Sequence, residues 1–154
     1  SLFGDGSISY IVTEGGDCKI LNSMEHTWKD SLNLMGWGVE DDGLSVIFDK
    51  IIPEFITKKL PQVVDNFPLK DFNGYVLHSG GMKIINAYKK IFNNHPTIEV
   101  SQKILSDYGN VSSVSVLLVL KEMIKQKSNG VFLMTALGPG FTAGMTGLKI
   151  CSND

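Results

Sequence analysis

Three short segments combine side chains able to do chemistry with a backbone that can approach a ligand closely. They are His78-Ser79-Gly80-Gly81, Tyr108-Gly109-Asn110-Val111-Ser112-Ser113 and Gly138-Pro139-Gly140-Phe141-Thr142. A histidine can donate, accept or carry charge near neutral pH. The glycines after it admit a close backbone approach, and a helix starting just beyond would present free N–H groups. Asn110 offers a carboxamide that donates hydrogen bonds without ever becoming charged. Each segment also has a plain structural reading. His78 can be a packed residue at a strand end, Asn110 and the serines can cap the helix that follows, and Gly138-Pro139-Gly140 can be a tight connection between strands.

The elements that must position these residues can be read from periodicity. Residues 7–13 alternate and are rich in β-branched side chains, which predicts a strand between the turns Gly4-Asp5-Gly6 and Glu14-Gly15-Gly16-Asp17. A returning strand is expected at 19–22 and another at 44–48, with 24–33 polar and irregular. Pro53 suits a helix start, and Phe55, Ile56, Leu60, Val63 and Val64 form a stripe that Pro61 is expected to break or kink. A short strand at 75–77 leads into His78, and helices are expected from Met82, over 100–108 and over 112–127. Strands at 131–137 and 145–151 flank the Gly-Pro-Gly connection. Strands alternating with helices, and paired at both ends, imply an α/β domain with a mixed sheet flanked by helices. All three segments then fall at strand-to-loop transitions, where open α/β sheets present ligands.

Bulk properties narrow the function classes. The 154 residues, 43% hydrophobic and 19% charged, suffice for one domain with a real core. A net charge of −2 and a pI near 5.9 argue against a nucleic-acid binder. Every cation is a lysine, so a phosphate grip within this chain must use ammonium groups, backbone N–H groups or helix N-termini. Cys18 and Cys151 have no metal-ligand spacing and read as small apolar side chains, and no metal site is expected. The longest apolar run, 114–120, is far short of the ~20 residues that span a bilayer. With no signal peptide in evidence, a cytoplasmic protein without a membrane span is expected. Because no methionine leads, a fragment or trimmed chain is expected.

The motifs, in this order, resemble the C-terminal half of type III polyketide synthases, the chalcone synthase-like family. Leu2-Phe3-Gly4-Asp5-Gly6 matches that family's LFGDG. His78-Ser79-Gly80-Gly81 is similar to its HPGG, with Ser79 in place of proline, which restores a backbone N–H and some freedom. Residues 105–113 are close to its LSEYGNMSS, and Leu137-Gly138-Pro139-Gly140-Phe141-Thr142 resembles its FGPGLT. The stretch from Met35-Gly36-Trp37 to Ile52-Pro53 looks most like bacterial members that form alkylpyrones or alkylresorcinols.

The resemblance implies a thiolase-like half with a mixed five-stranded sheet, spanning 1–154 as one domain. The N-terminal half, with its nucleophilic cysteine, would be missing from this chain, which alone would be inactive. It implies decarboxylative Claisen condensation of malonyl-CoA onto an acyl-CoA-derived starter, with coenzyme A thioesters as substrates and no other cofactor. His78 would pair with the cysteine as an imidazolium–thiolate couple, since a neighbouring cation shifts a thiol toward thiolate. His78 and Asn110 would then both donate to the malonyl thioester oxygen as CO₂ leaves; one such donor is typically worth about 3 kcal/mol. Gly80 and Gly81 would support the catalytic loop. Phe3, Val46, Ser112, Gly138, Pro139 and Gly140 would line the substrate cavity, Val46 replacing a bulkier aromatic and leaving room for a long acyl starter. The expected partners are the N-terminal half of the same enzyme and, at full length, a second copy in a homodimer.

Two alternatives stay open on sequence alone. One is a 3-oxoacyl-acyl carrier protein synthase of the third type, which shares the Cys-His-Asn logic; hydroxymethylglutaryl-CoA synthase fits less well, since the glutamate it uses has no counterpart here. The other is a non-catalytic thiolase-like partner subunit, favoured by Ser79 and by the missing nucleophilic cysteine, since neither Cys18 nor Cys151 sits in the family's nucleophile context.

Overall fold

The structure, a computed structural model, describes residues 3–151. Ser1 and Leu2, the latter part of the first motif, lie outside the described residues, as do 152–154. Four strands form one mixed sheet: β1 (Cys18–Thr27), β4 (Gly74–Leu77), β5 (Gly130–Gly138) and β6 (Thr142–Ile150), in the spatial order β1-β6-β5-β4. Within this sheet β4 and β5 pair parallel, while β1–β6 and β5–β6 pair antiparallel. β2 (Met35–Glu40) and β3 (Gly43–Phe48) form a separate antiparallel ribbon. The helices are α1 (Ile52–Asp65), α2 (Met82–Ile91), α3 (Ile98–Tyr108) and α4 (Val114–Lys125).

β4, β5 and β6 are packed on both faces while the edge strand β1 is largely exposed, and strand alternation sends side chains to two clusters. Leu77, Leu133, Ala143 and Met145 pack with Ile52, Ile56 and Leu60 of α1 and Ile85 and Tyr88 of α2. Val76, Phe132 and Ile150 pack on the other face with Ile104 of α3 and Val116, Val119 and Met123 of α4. The fold class is therefore the α/β arrangement expected, but the mixed sheet has four strands rather than the five anticipated, because β2 and β3 pair with each other instead of joining it.

Local expectations depart from this in two instructive places. Residues 7–13 form no strand, and Tyr10, Ile11 and Val12 are 70%, 90% and 73% exposed. Their alternating pattern suits a strand, but the edge of β6 is taken by β1, paired from Cys18↔Ile150 to Thr27↔Thr142 with one bulge between Ile20 and Asn22. That pairing draws the polar stretch 24–27 into β1, where Ser23 meets the Thr146 hydroxyl and Thr27 that of Thr142. In α1, Pro61 neither breaks nor ends the helix, which runs on to Asp65. The proline costs about 3 kcal/mol in a helix interior. Burying Ile52, Ile56, Leu60 and Val63 on one stripe offsets it, at about 1.5–3 kcal/mol each.

Candidate active site

His78 is the first residue past β4, and its backbone is fixed from three sides. Its N–H donates to the Thr135 carbonyl of β5 at 3.0 Å, and its carbonyl accepts from the Gly80 amide at 3.0 Å. The carbonyl of Leu77, just before it, accepts from the buried hydroxyl of Ser101 on α3 at 2.9 Å. Gly81 is the N-cap of α2 at φ 151°, a conformation open to glycine, and its carbonyl accepts from both Ile84 and Ile85. Gly80 leaves space for the imidazole: a Cβ there would lie 3.2 Å from both Cδ2 and Nε2 of His78.

Asn110 lies between α3 and α4, and both ends of its carboxamide are engaged. Nδ2 donates to the Gly80 carbonyl at 3.2 Å, and Oδ1 accepts from the Ser112 amide at 2.9 Å. Those two bonds fix which way the amide faces, since only the nitrogen can donate to a carbonyl. One N–H of the Nδ2 group remains for another acceptor. Asn110 is not the N-cap of α4; that is Ser113, which makes no side-chain cap bond. The structure thus brings the carboxamide of residue 110 and the imidazole of residue 78 to the same glycine.

Burial governs the electrostatics here. The His78 imidazole is largely enclosed, and desolvation pulls its pKa from 6.5 down to about 4, so it is neutral at pH 7 in this chain. Its Nδ1 is buried with no hydrogen-bond partner, as is the hydroxyl of Ser79, a residue fully removed from solvent. Charging this imidazole therefore requires an anion close by.

The other sequence-derived candidates divide into those near this site and those apart from it. Phe3 forms a parallel bridge with Asn110, and the Gly4 amide donates to the Asn110 carbonyl at 3.0 Å, so the first motif lies against the second catalytic candidate. Gly138 ends β5, and Pro139 and Gly140 follow it, at the sheet end where His78 follows the parallel β4. The loop is anchored by Phe141, fully buried and stacked on Trp28 with ring centroids 5.6 Å apart. The Phe141 amide donates to the Ser31 hydroxyl at 2.8 Å. Ser112 is exposed at φ 56°. Val46 is 43% exposed on the β2–β3 ribbon, opposite Trp37. No group of three or more potential metal ligands occurs among the described residues.

Sequence reasoning passed over Ser101 and Ser31, and gave Trp37 no role beyond its place in the 35–53 stretch. The two serines carry no local signal, because their partners Leu77 and Phe141 are remote in sequence. Trp37 faces Val46 directly across the ribbon. That pairing was legible: the two-residue turn Asp41-Asp42 sets Glu40 opposite Gly43, and every later pair follows from it.

With this geometry in place, comparison with known proteins gives concordant results. A family model described as chalcone and stilbene synthases, C-terminal domain, matches residues 19–150. A protein of Bacillus subtilis (strain 168) named "Putative chalcone synthase" is 33% identical, over 93% of this chain and 45% of its own length. The 1,3,6,8-tetrahydroxynaphthalene synthase of Streptomyces peucetius subsp. caesius is 29% identical, over 93% of this chain and 42% of its own. The C-terminal type III polyketide synthase domain of Steely1, a type I/III hybrid from Dictyostelium, superposes with a TM-score of 0.79 at 24% identity, covering 87% of this chain and 40% of that one. The fungal type III polyketide synthase ORAS superposes with a TM-score of 0.74 at 21% identity, covering 89% and 42%. At these identities the two structures establish a common fold. The chain spans less than half the length of the curated relatives it matches.

Proposed function

The chain belongs to the chalcone and stilbene synthase family, as its C-terminal domain, and from that premise we propose that it supplies the enolate-stabilising half of a type III polyketide synthase site. The proposed reaction is decarboxylative condensation of malonyl-CoA onto an acyl group held as a thioester on a cysteine outside this chain. The bond between the malonyl carboxylate and its methylene breaks, CO₂ leaves, and the electron pair passes into a thioester enolate. Hydrogen bonds from His78 Nε2 and Asn110 Nδ2 hold the negative oxygen. The enolate carbon then attacks the cysteine thioester, and the thiolate departs.

The observation that carries this reading is the tie from Asn110 Nδ2 to the Gly80 carbonyl, with Gly80 seated against His78 Nε2. It supports a pair of fixed donors, one on the loop after β4 and one on the loop between α3 and α4, converging at Gly80, the arrangement electrostatic catalysis requires. The low pKa of His78 fits the same scheme: a neutral imidazole donates through one nitrogen, and a thiolate brought alongside would raise its pKa and form the ion pair. Coenzyme A thioesters are the proposed substrates, with no further cofactor. We take the remainder of the site to come from the segment that relatives carry beyond this region, and the intact enzyme to be a cytoplasmic homodimer. Among the described residues no helix is long and apolar enough to cross a membrane. Pyrone or resorcinol products are the finer proposal, resting on Val46 and on the 35–53 stretch.

The test is malonyl-CoA decarboxylation by the intact protein. His78→Ala and Asn110→Ala should each lower kcat by about 10²–10³-fold with circular dichroism unchanged. Ordinary turnover in the Asn110 variant would refute the assignment.

A further inference from the structure

Cys18 and Cys151, set near opposite ends of the sequence, come together at one end of the sheet. Cys18 opens β1 opposite Ile150, the last residue of β6. The Cys151 amide, one position further on, donates to the Asp17 carbonyl at 2.7 Å. The two cysteines are therefore diagonal neighbours across an antiparallel pair. Cross-strand Cα atoms about 5 Å apart, with one step of about 3.4 Å along the strand, place their Cα atoms about 6 Å apart. A disulfide spans about 4.4–6.8 Å between Cα atoms. Unbroken alternation would send the two side chains to opposite faces, but both strands stop here. β6 ends at Ile150, and β1 is preceded by Gly15 and Gly16 at φ 159° and 124°. Both thiols are free and half-buried, so a small oxidant can reach them. Burial first, and the charge of Cys151 second, push the Cys18 thiol above its ordinary pKa. The two sulfurs thus sense one another, and Cys18 stays protonated at neutral pH. Among the described residues no cluster of potential metal ligands includes them.

We propose that Cys18 and Cys151 are an oxidisable pair that a hydroperoxide closes to a disulfide, fastening the start of β1 to the end of β6. Cys151 attacks the peroxide O–O bond and takes one oxygen as a sulfenic acid, releasing water or an alcohol. The Cys18 sulfur then attacks the Cys151 sulfur as it gives up its proton. The S–O bond breaks, and hydroxide leaves with that proton as water. The two thiols lose two electrons in all, and the peroxide bond accepts them. The new bond encloses the sheet and its helices in one covalent loop, and long loops restrict the unfolded chain most. In a reducing compartment such a bond is transient and reports oxidant. The inference is independent of the catalytic reading, since neither cysteine belongs to the site around His78 and Asn110.

The experiment treats the intact protein with hydrogen peroxide, blocks the remaining thiols by alkylation and maps the peptides without reduction. A linked peptide pair carrying residues 18 and 151 should appear, lighter by two hydrogens than the separate peptides, and dithiothreitol should release it. Any other cysteine of the intact protein reports in its own peptide. The oxidised protein should melt higher by about 5 °C or more, and the shift should vanish on reduction. Cys18→Ser and Cys151→Ser, treated in the same way, should each lose the linked pair and the shift. In Cys18→Ser the Cys151 sulfenic acid should persist long enough to be trapped by dimedone, because its resolving thiol is gone. Separate alkylation or over-oxidation of both thiols, with no linked pair, overturns the proposal. A link found only between two chains on non-reducing electrophoresis also overturns it. So does a linked pair with an unchanged melting temperature, because the bond would then fasten nothing. A melting shift that survives in both serine variants assigns the effect to another residue and overturns the proposal as well.

Discussion

The backbone amide of Gly4 donates to the carbonyl of Asn110 at 3.0 Å, so the first motif of the chain is bonded to the residue proposed to hold the enolate. A Cβ on Gly4 would overlap the carbonyl oxygen of Tyr108. Gly4→Ala must therefore push the two segments apart, at an overpacking cost of about 1–3 kcal/mol. Urea denaturation should show that loss, and decarboxylation should fall as Asn110 shifts. An unchanged midpoint would mean that the contact is dispensable.

Gly80→Ala tests the seat of the imidazole. The added methyl would meet the Cδ2–Nε2 edge of His78 at 3.2 Å, tighter than ordinary contact, so the ring must rotate or withdraw. We expect kcat for malonyl-CoA decarboxylation to drop at least tenfold, since small misplacements at a reacting centre are amplified. Thermal stability should change little by comparison, and wild-type kcat in this variant would show that ring placement does not matter.

Acid should weaken the fold through His78. Its folded pKa of about 4 lies below the ordinary 6.5, so the unfolded chain binds the proton first as pH falls. The contribution is whole above pH 6.5 and is lost between there and pH 4, about 2–3 kcal/mol after allowance for partial exposure. Unfolding free energies of the wild type and His78→Gln, measured from pH 7 to pH 4, should converge by that amount. Parallel curves would contradict the buried, neutral imidazole.

Tyr88 is fully buried on α2, its hydroxyl has no partner, and burial holds its pKa far above the usual value. A buried unsatisfied group costs about 1–3 kcal/mol, so Tyr88→Phe should stabilise the protein or leave it unchanged. A clear destabilisation in chemical denaturation would show that the hydroxyl finds a partner in solution.

The β2–β3 ribbon presents Trp37, Val39, Leu44, Val46 and Phe48 on one face, with exposures from 43% to 85%. A two-stranded ribbon with such a face is marginal unless covered. This chain alone should self-associate in sedimentation, and Val39→Lys with Leu44→Glu should shift it toward monomer. A monomeric wild-type chain would count against a covered ribbon.

What local sequence determined was element type. The stripe through Ile56, Leu60 and Val63, the helix start at Met82 and the turn at Asp41-Asp42 each act within a few residues, and each is realised in the fold. The motifs around His78, Asn110 and Gly138 also sit at element ends as their residue types require. Pairing was decided by tertiary structure. Residues 7–13 have a strand's pattern but no strand beside them, whereas 24–27 lack the pattern and become sheet because β6 offers its edge. The same holds for the site: Asn110 reaches Gly80, Ser101 reaches Leu77 and Gly4 reaches Asn110 only because helices pack on both faces of one sheet. Periodicity constrains a chain over one or two turns; a hydrogen bond between residues thirty or a hundred positions apart depends on how buried faces choose one another.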